Sequence, residues 1–163
     1  GRAIFLGRTL SQLLNDSSLE LKWPTKDEKV TEEEGKAQKL KTYGNRRREQ
    51  VSRKSFGSIY EISLDPTHPV AFGFNQKSFI LKTTNKNPDL LSNGWNVAWL
   101  DGNAEPVSGF KGKKVEPPLK DNLVVGVREI GKGKAIYFSE NPLFRLFWKN
   151  GYLFMGNAVF FTD

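Results

Sequence analysis

The sequence predicts an α/β domain with a largely parallel sheet and one late hairpin. Three observations predict it. An apolar opening stretch, Gly1–Leu6, passes through Gly7 into Leu10, Leu13 and Leu14 at helical spacing, a strand–tight turn–helix unit. From Gly57 onward, short β-type runs interleave with helix and turn signals. Gly131-Lys132-Gly133 joins two apolar runs in the manner of a hairpin. The 163 residues show no internal repeat and fit one domain, 1–163.

Each element follows in order. The first strand ends at Gly7 and a helix starts near Thr9. Residues 16–56 then break the pattern with a Lys-Asp-Glu-Lys run, the triplet Glu32-Glu33-Glu34 and the triplet Arg46-Arg47-Arg48, and with few apolar residues. They read as a charged, solvent-exposed insertion, helical in part or mobile, with its start pinned by Trp23 and Pro24. Ile59–Leu64 alternates as a strand. Val70–Phe74 and Ser78–Thr84 read as two more, around an Asn75-Gln76-Lys77 turn. Leu90 and Leu91 suggest a short helix ending at Asn93-Gly94. Asn96–Leu100 is a strand, Glu105–Phe110 a loop or helical turn, and Glu116-Pro117-Pro118 a connector. Leu123–Val127 and Lys134–Phe138 form the hairpin, and Leu153–Phe161 a closing helix.

Composition narrows the function classes. With no cysteine, disulfides, thiolate nucleophiles and Cys-type zinc sites are excluded. No run approaches the roughly 20 apolar residues that span a bilayer, so no membrane partner is expected. Gly1–Leu6 is too short for a signal peptide; for an exported protein the targeting segment would lie outside this sequence. The net charge is +7, and Lys26–Lys54 carries ten Lys or Arg against six Asp or Glu, so most of the excess is local.

Few residue sets could carry chemistry. His68, the only histidine, sits in Asp65-Pro66-Thr67-His68-Pro69. One histidine cannot build a multi-histidine zinc site, and no Gly-x-Ser-x-Gly elbow accompanies it. Capping or packing a turn is the favoured role. Gly131 and Gly133 lack the following helix that a phosphate loop requires. Arg46, Arg47 and Arg48 near Tyr43, with Arg53 and Lys54, could contact nucleic-acid phosphates, but neighbouring acids dilute the field and no aromatic ladder accompanies them. A solvated face is favoured. Asn141–Trp148 reads as a core-forming turn, with a ligand pocket as the alternative. Asp65, Asp101, Glu129 and Glu140 fall at or near strand ends, yet no spacing singles out a pair. Asn15-Asp16-Ser17 fits a glycosylation sequon, a weak signal.

Two distant segments resemble one family. Ile4-Phe5-Leu6-Gly7-Arg8-Thr9-Leu10 with Gln12-Leu13-Leu14 resembles the nucleophile elbow of class I glutamine amidotransferases, with Thr9 in the place of the cysteine and a helix start one residue shorter. Ala135-Ile136-Tyr137-Phe138 leading to Asn141-Pro142-Leu143 resembles the strand and His-Pro-Glu turn carrying the rest of that triad. Asn141 stands at the histidine position and Leu143 at the glutamate position. All three carried-over positions are changed, so the resemblance implies a flavodoxin-like three-layer fold without the hydrolysis of glutamine.

A narrower resemblance covers the ordered parts from Gly57 onward. Ser58–Glu61, Thr67–Gly73, Pro106–Phe110 and Asn141–Arg145 look like the amidotransferase-like C-terminal region of bacterial zinc-carboxypeptidase-like proteins. The carboxypeptidase zinc ligands, a His-x-x-Glu pair and a later His, are absent, so neither metal nor cofactor is implied. The resemblance implies a non-catalytic accessory domain of a periplasmic or extracellular protein. Its partner would be an upstream catalytic domain or another protein, and nucleic acid is the alternative. A fold incomplete at its N-terminus is also implied, because in the family several strands precede the elbow. A ligand pocket would use Thr9, His68 and Asn141, which the fold analogy gathers near strand C-terminal ends.

Overall fold

A computed structural model describes residues 1–12, 19, 21–24, 36, 39–55, 57–84, 87–115 and 119–162. Leu13, Leu14, the 15–17 sequon, the Glu32–Glu34 triplet and the Glu116–Pro118 connector lie outside the described residues.

The chain forms β1 (Arg2–Leu6), α1 (Arg8–Gln12), α2 (Tyr43–Ser52), β2 (Ser58–Leu64), β3 (Lys77–Lys82), β4 (Trp95–Asn103), β5 (Pro106–Ser108), β6 (Lys120–Ile130), β7 (Gly133–Phe138) and α3 (Asn150–Phe160). One mixed sheet runs in the order β1-β7-β6-β4-β2-β3, and β5 pairs with β2. The α/β class is as expected; the largely parallel sheet is not. Only β1–β7 is parallel, in register from Arg2↔Lys134 to Leu6↔Phe138, and every other pairing is antiparallel. The reason is local. Parallel neighbours need long crossovers that carry the chain back along the sheet, whereas β6 turns directly into β7 through Gly131, which takes the left-handed conformation at φ 58°, and residues 65–76 between β2 and β3 hold no helix beyond the single turn Pro69–Ala71.

Three smaller expectations are corrected. Val70–Phe74 is not a strand: Pro69 fixes the backbone of a one-turn 3-10 helix, Pro69–Ala71. Leu90–Leu91 is not helical; the segment is extended, with Asp89 bridging to Asn122. Glu105–Phe110 contains the short strand β5. The strands β2, β3, β4, β6 and β7 and the closing helix α3 lie where the residue pattern puts them.

Alternation along β7 sorts the core. Ile136 and Phe138 face the cluster that includes Val124, Tyr60 and Phe154 of α3. Ala135 and Tyr137 face a second cluster with Leu10 of α1, Leu21 and Leu123, against which Trp23 packs. On the first face Phe154 stacks on Phe74 at 4.1 Å between centroids. α3 also fixes a turn. Its buried Asn157 donates to the carbonyls of Val70 (3.0 Å) and Phe72 (2.8 Å), satisfying acceptors just after His68.

The sheet is curled. β3 and β7 are separated by three strands in the sheet order, yet Lys82 at the end of β3 meets Glu140 just beyond β7, with Nζ 3.0 Å from Oε1. The curl closes over Phe79, Phe138, Trp148 and Phe154, leaving only about 20 Å³ between them, room for about one water.

Candidate functional site

The elbow and the proline corner meet. β1 and β7 run side by side and leave the sheet at the same end, so Thr9 and Asn141 both emerge there. Gly7 makes the bend with φ 52°, and a Cβ on it would lie 3.6 Å from the Asn141 nitrogen. That is ordinary contact, so glycine is needed for its backbone conformation more than for space. Gly7 N–H donates to the Phe138 carbonyl at 2.8 Å, which extends the parallel ladder one residue into the turn.

The side chains at this junction face inward to the backbone. Thr9 Oγ1 donates to the Leu6 carbonyl (2.7 Å) and accepts from the Leu6 N–H (3.1 Å), closing the turn that a nucleophile would have to leave open. Asn141 Oδ1 accepts from the Leu143 N–H at 2.9 Å, and Leu143 contributes only its backbone to that turn. Pro142 presses on α3: a Cβ at Gly151 would fall 1.8 Å from the Pro142 carbonyl oxygen. Asn141–Trp148 therefore acts as a packing corner, and the 20 Å³ gap beneath it is no ligand pocket.

Glu140, one residue earlier, is the most heavily engaged carboxylate among the described residues. One oxygen accepts from the Thr83 N–H (2.8 Å) and hydroxyl (2.6 Å). The other accepts from Lys82 (3.0 Å) and from the Thr84 hydroxyl (2.6 Å). Lys82 also donates to Asn87, which in turn donates to the Leu123 carbonyl and the Ser139 hydroxyl, both at 2.9 Å. Lys82, Glu140 and Asn87 are all buried. Burial drives the Lys82 ammonium below its ordinary range, and the charge of Glu140 pulls the other way.

His68 lies at the opposite end of the sheet, so the Thr9–His68–Asn141 pocket is not assembled. In a parallel sheet all strand C-termini share one end; here β2 runs antiparallel to β4 and delivers its C-terminus to the other. His68 caps the 3-10 turn, with Nδ1 accepting from the Val70 N–H at 3.1 Å. It borders a cleft of about 420 Å³ shared with Asp65, Trp95, Glu129 and Lys134. Burial holds its pKa below the ordinary histidine value; Asp65 opposes this and Lys134 reinforces it.

The arginine cluster splits in two. Arg46 donates to the Lys39 carbonyl, and Arg53 pairs with Glu49 at 2.9 Å. Glu49 also takes Lys41, and these partners lower its pKa, the Lys41 hydrogen bond most. Arg47 and Arg48 instead line a groove of about 790 Å³ between α2 and the segment Phe110–Lys114. Lys54 anchors that segment through its backbone, accepting from the Gly112 N–H at 2.8 Å; Lys114 N–H donates to Ser52 at 2.8 Å. Sequence reasoning missed this groove and the Lys82–Glu140 cluster. Besides Tyr43, one ring distant in sequence borders the arginines: Phe110, some sixty residues along the chain, brought there by the fold.

No family model, curated protein or solved structure matches the chain. Among the described residues no cluster of three or more His, Asp or Glu could hold a metal ion, and no helix is long and apolar enough to cross a membrane.

Proposed function

We propose that the chain is a non-catalytic accessory domain that docks a protein partner or a neighbouring domain of its own polypeptide. One observation carries the reading. At the junction where an amidotransferase would keep its nucleophile and base, Thr9 closes on Leu6, Asn141 closes on Leu143, and the adjacent Glu140 is locked to Lys82, Thr83 and Thr84. Thr9, Asn141 and Glu140 each bond to other partners and not to one another, so they do not form a nucleophile–base relay. The parallel β1–β7 pair with its elbow supports the flavodoxin-like reading for that part of the sheet, whereas the antiparallel strands β2–β5 depart from it. In a zinc-carboxypeptidase-like protein of the kind the sequence resembles, peptide hydrolysis would belong to a separate unit and the location would be periplasmic or extracellular.

Two measurements test this. Ammonia release from glutamine and from peptide amides should be the same for the purified chain and for its Thr9→Ala/Asn141→Ala variant; release that the variant loses overturns the non-catalytic half. In the polypeptide that carries the domain, deleting it should lower the Tm of the adjoining unit. An unchanged Tm together with unchanged partner binding overturns the accessory half.

A further inference from the structure

We infer that the groove between α2 and Phe110–Lys114 is the docking site of this domain, and that its occupant is a short extended acidic peptide segment carrying an apolar anchor side chain. The inference deepens the docking reading above and rests on it.

The first argument is that the groove is built. Gly112 lies against Ser52 so closely that a Cβ would fall 2.0 Å from the Ser52 carbonyl oxygen. The backbone bonds from Gly112 to Lys54 and from Lys114 to Ser52 lock the segment onto the end of the helix. Only glycine permits that approach.

The second is that among the described residues nothing covers the faces of α2. It buries none of its residues, and a ten-residue helix is marginal in water without tertiary support. Tyr43, Arg47 and Val51 fall four apart, on the stripe that borders the groove. Tyr43, Val51 and Phe110 are all exposed, and together they give the groove an apolar floor.

The third is charge. Arg47 and Arg48 rise on the helix side, Lys113 and Lys114 on the loop side. Among the described residues no carboxylate pairs with any of the four: Glu49 is taken by Lys41 and Arg53, and Glu105 by Lys111. Cations flanking an apolar strip on both sides match acidic residues flanking an apolar anchor. A branched aliphatic side chain, Val51, shares the floor with the two rings. That suits an inserted side chain better than a continuous stack of bases, which needs successive ring faces. From Tyr43 to Val51 the helix rises about 12 Å, the reach of about four extended residues.

The test uses the whole chain and a fluorescein-labelled hexapeptide with two acidic residues on each side of a Leu-Phe pair, read by anisotropy at low salt. Saturable binding is expected, weakened about tenfold or more by Arg47→Glu/Arg48→Glu, a change of the size that marks a binding hot spot. Phe110→Ser should weaken it too, and so should replacing the peptide's acids by amides. Lys132→Glu, an exposed charge on the β6–β7 turn, should leave it unchanged. Circular dichroism melts of each variant separate lost binding from lost folding. Absence of saturable binding overturns the inference, as does an equal loss with Lys132→Glu, which would mean attraction by net charge alone. So does a single-stranded oligonucleotide of matched charge that competes more tightly than the peptide binds. None of these failures bears on the ammonia and deletion measurements above.

Discussion

The Lys82–Glu140 corner and the α2 groove both concentrate charge, and they treat it in opposite ways. At the corner every charged atom is buried and met by a partner within the domain. At the groove four cations face outward with no carboxylate against them among the described residues. Buried charge must be paired because the interior solvates it poorly. Exposed charge stays hydrated and is available to a partner. The comparison separates what holds this domain together from what it presents, and substitutions can break it from either side.

The largest effect is expected at the corner. Lys82→Met keeps the side-chain volume but leaves the Glu140 carboxylate buried without its counter-charge. Denaturant melts should show a loss of about 3–5 kcal/mol, the usual cost of breaking a buried pair from one side. Adding Glu140→Gln should restore part of it. A loss under about 1 kcal/mol would mean the pair does not staple β3 to β7.

Gly151→Ala comes next. Its Cβ would meet the Pro142 carbonyl oxygen at 1.8 Å, so either the corner or α3 must shift. Overpacking of this kind costs about 1–3 kcal/mol. A neutral result would show that the corner is soft and that Pro142 does not set the position of α3.

At the groove the expected stability change is small. Arg47→Glu/Arg48→Glu alters exposed residues of a helix that buries nothing, so the Tm-derived stability should move within about 0.5 kcal/mol. A larger loss would assign those arginines a folding role and remove the contrast on which the docking reading stands.

Much of this architecture was legible in the residues. β2, β6, β7 and α3 follow from apolar periodicity, and the left-handed turn at Gly131 from its glycines. The elbow and corner were legible as motifs, and the parallel β1–β7 pair brings them together. Sheet direction was not legible: apolar alternation is the same in either sense, and the pairing partner decides it. That is why His68 was expected beside Asn141 and lies at the other end. The Lys82–Glu140 pair was invisible for a related reason. Its partners are 58 positions apart, and no local pattern marks a lysine as buried. Phe110 likewise reaches the arginines only through the fold.

His68 supplies the smallest effect and the most specific one. Its Nδ1 accepts from the Val70 N–H, so the neutral ring carries its proton on Nε2. Protonation would place a second N–H against the one from Val70 and abolish the cap. Burial, the main cause, keeps the folded-state pKa below the ordinary 6.5. Between that depressed value and 6.5 the unfolded chain binds more protons than the folded one, so stability falls as the pH falls through that window. Asp65 and Asp101 act lower down. The Thr67 hydroxyl, for Asp65, and the Ser63 hydroxyl, for Asp101, are the main causes that hold them below 3.8, so their contribution is present above that value and lost beneath it. Melts across this range should therefore show two acid steps. His68→Asn keeps an oxygen that can cap the turn but has nothing to titrate, so it should flatten the upper step and leave the lower one. If the upper step survives in that variant, the titrating group is not His68, and the cap contributes nothing to the pH dependence.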